Sequence, residues 1–457
     1  MPHILQYRKY KTISIIQPHI LISIVEIVLY FLNMEISTNI PLRPIELQIG
    51  IRTKEGNKFR LPIEIVKIVY SYLYLYPSVS FDDTTIRIVI EEWKKDKIEC
   101  EKKYGSISLW NVSKVTDMSN LFCDIYDFNE NLIFWNVSNV RNMRGMFTGC
   151  YFFNQNLSSW NVSNVCDTSY MFNGCYLFNQ NLSLWNVSNV ENMKSMFKYC
   201  KNFNQDIGSW NVSNVRDMSL MFSECKKFNQ NLNSWNVSNV ESMSSMFENC
   251  ENFNQILKSW NVSSVCCMRS MFANCKNFSK GGLKSWNVSN VRNMDSMFLS
   301  CEKFNQNLSS WNVSNVESMS RMFENCKYFN QNLNSWNVSN VRNMFSMFAN
   351  CKYFNQDLNS WNVSNVESMG WMFANCENFN QNLNSWNVSN VESMGWMFAN
   401  CKKFNRNLSS WNVSNVKYMH SMFKDCENFD QDLSSWNMYI KCPNKNFIFR
   451  ERFHKYM

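Results

Sequence analysis

A tryptophan recurs every 25 residues through most of this 457-residue chain, and near-copies of one pattern fill the intervals. The tryptophans stand at positions 110, 135, 160, 185, 210, 235, 260, 286, 311, 336, 361, 386, 411 and 436, and so bound thirteen consecutive copies. One copy is a residue longer, and it contains Gly281 and Gly282, which can accommodate a bulge. Repetition at this period is typical of a solenoid, in which each copy buries its apolar side chains against the copies beside it.

Counting the tryptophan as repeat position 0, each copy follows the pattern WNVSNV-xx-M-xx-MF-xx-C-xx-FNQ-x-L-xx. Met, Met, Phe and Cys at repeat positions 8, 11, 12 and 15 have the spacing of one helix face. Repeat position 7 is Asn, Asp or Ser in eleven of the thirteen copies, and these residues favour helix N-caps. The apolar residues at repeat positions 22, 0, 2 and 5 indicate a short strand. The pattern therefore predicts an α/β repeat solenoid of about thirteen turns, each with a short strand and a two-turn helix.

Identical residues on successive turns are expected to form ladders. Asn occupies repeat position 1 in every copy and repeat position 19 in eleven, so stacked amides are expected to bond one another and the loop backbone. Charge partly alternates at repeat position 6, as in Glu191, Arg216 and Glu241, and again over Arg292, Glu317, Arg342 and Glu367. Opposite charges on adjacent turns favour the register by about 0.2–1 kcal/mol each.

The core V-xx-M-xx-MF-xx-C-xx-F, followed by L-xx-W, resembles the BspA family of leucine-rich-repeat surface proteins, in the variant known from mycoplasma-type repeat proteins of unknown function. The segment 84–122 is similar to the entry segment of that family, and the resemblance covers about residues 84–436. It implies a right-handed, leucine-rich-repeat-like solenoid with a binding or adhesion role and no reaction. No export signal, lipid-attachment cysteine or wall-sorting tail is evident, so we expect an intracellular (cytoplasmic) scaffold, with a cell-surface adhesin as the alternative.

The segment RLPIEIVKIVYSYLYLYP (60–77) resembles the opening of an F-box, the short helical module that docks on the Skp1 adaptor of ubiquitin ligases. This resemblance implies a substrate adaptor for a ubiquitin ligase, docked through Leu61, Pro62, Ile65, Val66, Val69 and Leu73. The alternative is a helix that only caps the first turn of the solenoid, as repeat arrays require.

The sequence predicts four regions: an apolar leader or poorly ordered segment (1–33), a helical N-terminal cap (34–109), the solenoid (110–436) and a basic C-terminal tail or cap (437–457). The leader is alternatively a signal anchor, or lies upstream of a true start at Met34. Membrane insertion is not expected, because Pro18, His19 and Glu26 interrupt an apolar run that falls short of the roughly 20 residues a span needs.

Composition argues against several kinds of chemistry. The net charge of +8 is spread along the chain and is no signature of nucleic-acid binding. Twelve of the eighteen cysteines occupy repeat position 15 and are expected to be reduced packing thiols, because parallel side chains on one ladder are poorly posed for disulfides. With four histidines and no CxxC pair, a zinc site is not expected. No cofactor motif or catalytic pair is present, so we expect a non-enzymatic protein.

Specificity is expected at the variable repeat positions. On a helix, repeat position 10 lies about 200° from position 8 and points away from the core. Position 10 holds Arg321, Trp371 and Trp396, and position 9 holds Phe345 and His420, all in neighbouring copies. We expect these five residues to form an exposed stripe that binds a protein partner, because exposed aromatic clusters often mark interfaces. The alternative is that the two Trp rings lie flat on adjacent helices.

Overall fold

The computed structural model describes residues 50–52, 58–60 and 79–436. The chain divides into two compact units, Met1–Val79 and Ser80–Met457. In the first unit, β1 (Gly50–Arg52) pairs antiparallel with β2 (Lys58–Arg60). Three predicted features lie outside the described residues: the leader (1–33), the adaptor-docking residues from Leu61 to Leu73, and the C-terminal tail (437–457).

Two helices precede the first copy of the repeat: α1 (Asp83–Lys95) and α2 (Lys97–Tyr104). α1 begins with a capping box, in which the Asp82 carboxylate accepts the Thr85 N–H and the Thr85 hydroxyl accepts the Asp82 N–H. Its buried face consists of Ile86, Val89, Ile90 and Trp93. The Trp93 ring meets the Phe128 ring of the first copy edge-on, at a centroid distance of 5.6 Å. α1 therefore covers the end of the solenoid, whose copies are called coils below.

Side chains of α1 also take the place of a preceding coil. In interior coils, the carbonyls at repeat positions 7 and 9 accept N–H groups of the coil before. In the first coil these carbonyls belong to Asp117 and Ser119, and the Arg87 guanidinium donates to both, at 3.3 and 2.8 Å. The N–H of Thr116, which an interior coil directs to the preceding coil, donates instead to the Asp83 carboxylate at 2.6 Å. The cap thus satisfies backbone groups that the repeat pattern leaves open at its beginning.

We expect Asp83→Asn or Arg87→Ala to lower the free energy of unfolding of the first coil by about 1–3 kcal/mol, because charge-assisted hydrogen bonds to backbone groups are lost. Hydrogen exchange of residues 110–134 measures this, and Glu91→Gln on the same helix is the control, since Glu91 only pairs with Lys94 near the surface. Equal protection of the first coil in all variants would contradict the assignment.

The Asp83 contact also predicts a pH dependence. Partial burial pushes the pKa of Asp83 upwards, but hydrogen bonds from Thr116 and Asp117 outweigh it and hold the pKa below its ordinary value. The stabilisation is therefore present above the unfolded-state pKa of about 3.9 and is lost as the pH falls through the lower folded-state value. First-coil protection in Asp83→Asn should lack this acid-dependent loss.

The predicted two-turn helix is wrong. Between residues 110 and 433 the structure has no α-helix, and single parallel bridges at repeat position 7 join successive coils in place of a longer strand. The N–H groups at positions 8, 10, 12 and 14 donate to carbonyls of the next coil, as Phe147 does to Met171 at 2.9 Å. The N–H groups at positions 11, 13 and 15 donate three residues back, as Cys150 does to Phe147 at 3.0 Å. Repeat positions 10 and 14 have positive φ in every coil, which no right-handed helix tolerates.

The core runs without interruption through all coils, and the predicted inward columns are confirmed. In one central coil the side chains at repeat positions 0, 2, 5, 8, 11, 12, 15, 18 and 22 are 0–2% exposed. Phe247 stacks on Phe253 within its coil at 4.1 Å, and on Phe222 and Phe272 of the flanking coils at 5.7 and 5.6 Å. Each coil therefore obtains a dry interior only by contact with its neighbours.

Polar side chains inside and beside the core bond from coil to coil. The Cys250 thiol donates to the Phe222 carbonyl at 3.0 Å, and every cysteine of repeat position 15 repeats this contact. At repeat position 19, the Asn229 side chain accepts from the Asn254 N–H and from the Gln255 amide, both at 2.9 Å. The predicted amide ladder is thus present at position 19. The column of thiols is free of disulfides.

The asparagine of repeat position 1 does not form the predicted ladder. Asn236 accepts the N–H of Ser238 in its own loop at 3.2 Å. The contact between coils is made instead at repeat position 4, where the Asn239 amide donates to the Ser213 carbonyl at 2.7 Å. A local turn bond satisfies the first asparagine, so the second carries the link between coils.

Two of the pairs of opposite charges expected at repeat position 6 form between coils. Arg216 lies 3.5 Å from Glu241, and Arg342 lies 3.6 Å from Glu367. All four side chains are exposed, so each pair contributes less than about 1 kcal/mol.

Candidate functional site

The five residues predicted to form a surface stripe occupy five consecutive coils at the C-terminal end of the solenoid. We call Arg321, Phe345, Trp371, Trp396 and His420 the aromatic stripe. Arg321, His420 and Trp371 are exposed, whereas Phe345 and Trp396 are half-buried. The structure therefore brings the predicted residues together on one surface.

The two tryptophans stand where the backbone is left-handed. Both have a φ of 61°, a conformation that costs a bulky residue about 1–2 kcal/mol. Six other coils hold serine at repeat position 10, namely Ser195, Ser245, Ser270, Ser296, Ser346 and Ser421. Since the fold accepts serine here, it does not require these tryptophans.

The Trp rings stack on each other along the solenoid axis. Their centroids are 4.9 Å apart and their planes differ by 13°. The Trp396 ring also packs against a column of small residues, Ala349, Ala374 and Ala399, at repeat position 13. The alternative, in which the Trp rings lie flat on the neighbouring coils, therefore holds in part for Trp396. Trp371 remains 37% exposed.

Two glycines make room for the rings beside the tryptophans. A Cβ on Gly370 would lie 3.3 Å from Cδ2 of Phe345, and a Cβ on Gly395 would lie 2.9 Å from Cε1 of His420. The His420 ring meets Trp396 edge-on at 6.4 Å. The two glycines thus leave space for the Phe345 and His420 rings beside the Trp371–Trp396 stack.

Cations lie at both ends of the aromatic stripe. The Arg321 guanidinium lies over the Phe345 ring at 5.7 Å, and the Lys424 ammonium lies over the Trp396 ring at 5.0 Å. Arg321 also approaches Glu324 at 3.4 Å. Burial raises the pKa of Glu324, and the attraction of Arg321 offsets this only partly. The result is an apolar centre with the Arg321 guanidinium, paired with Glu324, at one end and the Lys424 ammonium at the other.

A second aromatic cluster, near the N-terminal end of the solenoid, was not predicted. Tyr126, Tyr151 and Tyr176 occupy repeat position 16 of three consecutive coils and stack at 5.0 and 4.7 Å. Beside them, Phe152 and Leu177 at repeat position 17 are exposed. The recurrence of tyrosine at one repeat position in adjacent copies is the signal that would have revealed this cluster.

Within residues 79–436, no group of three or more His, Cys, Asp or Glu side chains is arranged to hold a metal ion. No helix in the described part of the chain is long and apolar enough to cross a bilayer.

The repeats match a known family model. The model described as "Mycoplasma protein of unknown function, DUF285" matches residues 92–201, 178–281, 266–383 and 347–454. No curated protein sequence matches the chain.

Two similar solved structures are leucine-rich repeat proteins. One, from Eubacterium ventriosum ATCC 27560, is 12% identical, with a TM-score of 0.37 over 81% of this chain and 93% of that chain. The other, from Leptospira interrogans, is 9% identical, with a TM-score of 0.21 over 70% of this chain and 85% of that chain.

Proposed function

The chain belongs to the DUF285 family of repeat proteins, and we propose that it is a non-enzymatic scaffold that binds a protein through the aromatic stripe. The observation that carries this proposal is the Trp371–Trp396 stack, in two coils at a repeat position where the fold accepts serine. Tryptophan and arginine often supply most of the binding energy of protein interfaces.

The charges around the aromatic stripe define the partner further. Arg321 and Lys424 lie four coils apart, roughly 19 Å at the usual spacing of stacked strands. A complementary partner segment presents apolar side chains to the Trp rings and carboxylates towards the two cations.

A double variant, Trp371→Ser with Trp396→Ser, tests this function in the full chain. A tryptophan hot spot contributes about 2 kcal/mol or more, and the contributions of two stacked rings do not add, so loss of both should lower the affinity at least about 30-fold. The partner is first recovered by affinity purification from lysate of the source cells with mass spectrometry, and its dissociation constant is then measured for each variant.

The matched control is Tyr170→Ser with Leu220→Ser, which removes two large side chains from the same repeat position in other coils. Binding retained by the control and lost by the tryptophan variant supports the stripe. Equal affinity of all three proteins would show that the stripe is internal packing alone.

Two narrower functions stay predictions. A surface adhesin requires export, which labelling of intact cells measures. A ubiquitin-ligase adaptor requires co-purification with Skp1 that is lost when Leu61 and Pro62 are changed.

A further inference from the structure

The core of the last described coil (411–435) is largely shielded from solvent, although no further copy of the repeat follows it. Its core residues Val413, Val416, Met419, Cys426 and Phe429 are 2–8% exposed, against 0–1% for the same repeat positions in the coil before. A terminal coil has a neighbouring coil on one side only, so its other side needs a separate cover. α1 supplies that cover at the first coil.

The 21 residues after Trp436 have the properties of such a cover. The last family match extends through them to residue 454. Four apolar residues fall within a stretch of seven: Phe447, Ile448, Phe449 and Phe453. We propose that residues 437–457 dock on the last coil as a C-terminal cap and that this cap keeps the end of the solenoid from binding a second copy of the chain.

An uncovered end would favour association with another molecule for two reasons. It would expose the apolar core, which favours association. It would also present backbone donors, because the N–H groups of Met419, Ser421 and Asp425 meet no acceptor within residues 79–436. The equivalent N–H groups of the coil before all donate to the last coil, for example Trp396 to His420 at 3.0 Å. Such an edge is a template for further association.

The kind of oligomer that would form depends on whether the N-terminal end of the solenoid is also open. α1 covers the first coil, and Arg87 donates to its Asp117 and Ser119 carbonyls. Because α1 covers the apolar core of the first coil, we expect two uncovered C-terminal ends to associate through their exposed apolar cores, which gives a closed dimer with two-fold symmetry and no filament.

The test is the full-length variant Phe447→Asp with Phe449→Asp, compared with Asn444→Asp and Asn446→Asp, which add the same charge to the same segment. Hydrogen exchange is followed in the last coil (411–435) and in a central coil (235–259), and molar mass is measured by light scattering. The ratio of protection between the two coils is the primary result, because it reports the cap independently of overall stability.

We expect the phenylalanine variant to lower the protection of the last coil relative to the central coil at least about tenfold and to form dimers, while the asparagine variant matches the wild type. An unchanged ratio in the phenylalanine variant would overturn the cap. Growth beyond dimers, with the central coil still protected, would overturn the claim that α1 blocks the other end.

Discussion

Phe247→Ala is expected to lower the free energy of unfolding by about 3–5 kcal/mol, the range for removal of a fully buried phenylalanine. Phe247 is fully buried and contacts Phe253 in its own coil and Phe222 and Phe272 in the coils on either side. Because these contacts reach both neighbouring coils, the cavity is shared by three coils.

The effect should also change how the protein unfolds. In a repeat array each coil is stabilised by its nearest neighbours, so a central defect separates the coils before it from those after it. Urea unfolding followed by tryptophan fluorescence should shift to lower midpoint and become broader or biphasic. The exposed-residue control Lys258→Ala should leave the curve within about 0.5 kcal/mol of wild type. A shift of that small size for Phe247→Ala would contradict the shared core.

The native protein is expected to react with a thiol reagent almost exclusively at cysteines outside repeat position 15. Within the described residues, Cys166 and Cys266 are exposed and Cys123 and Cys267 are half-buried. The repeat-position-15 thiols are buried and donate to phenylalanine carbonyls of the preceding coil, as Cys250 does to Phe222.

Burial also removes the reactive form of these thiols. It raises the pKa of Cys426 to about 12, from an ordinary value of 9.0. The thiolate is the nucleophile in alkylation. At pH 8 the rise in pKa from 9.0 to about 12 lowers the thiolate fraction of Cys426 by about 1000-fold, so the thiol stays in its neutral form. Burial adds to this protection by excluding the reagent.

Mass-spectrometric mapping of alkylated peptides at pH 8 measures the reaction site by site. The twelve cysteines of repeat position 15 should label only after unfolding, whereas Cys166 and Cys266 should label in the native state. In the double variant Cys166→Ser with Cys266→Ser, the buried thiols should label as slowly as they do in the wild-type protein. Rapid native labelling of Cys250 or its equivalents would show that the coils open frequently.

The aromatic stripe was located from the sequence because its residues deviate from a repeated background. Trp371 and Trp396 are visible as departures at a position where serine is the commonest residue. Their stacking, the support of Trp396 by an alanine column and the cation from Lys424 required the structure, because these contacts join residues of different coils. The tyrosine cluster was visible in principle, as three tyrosines at one repeat position.

The sequence alone determined the period, the inward columns and the position of the outward stripe. The period and the inward columns are properties of one residue type recurring at one repeat position, and burial in a solenoid follows that recurrence directly. The stripe is a departure from that recurrence. The tertiary structure decided the backbone conformation of each coil and the partners of its N–H groups. Apolar residues at repeat positions 8, 11, 12 and 15 fit a helix as well as a chain of turns, and the two differ in where the N–H groups donate. Asp167 at repeat position 7 accepts the N–H of Ser169 two residues later, which closes a turn instead of capping a helix. Neighbouring coils supply carbonyls at 2.7–3.2 Å for the alternate N–H groups, and this supply exists only once the coils are stacked.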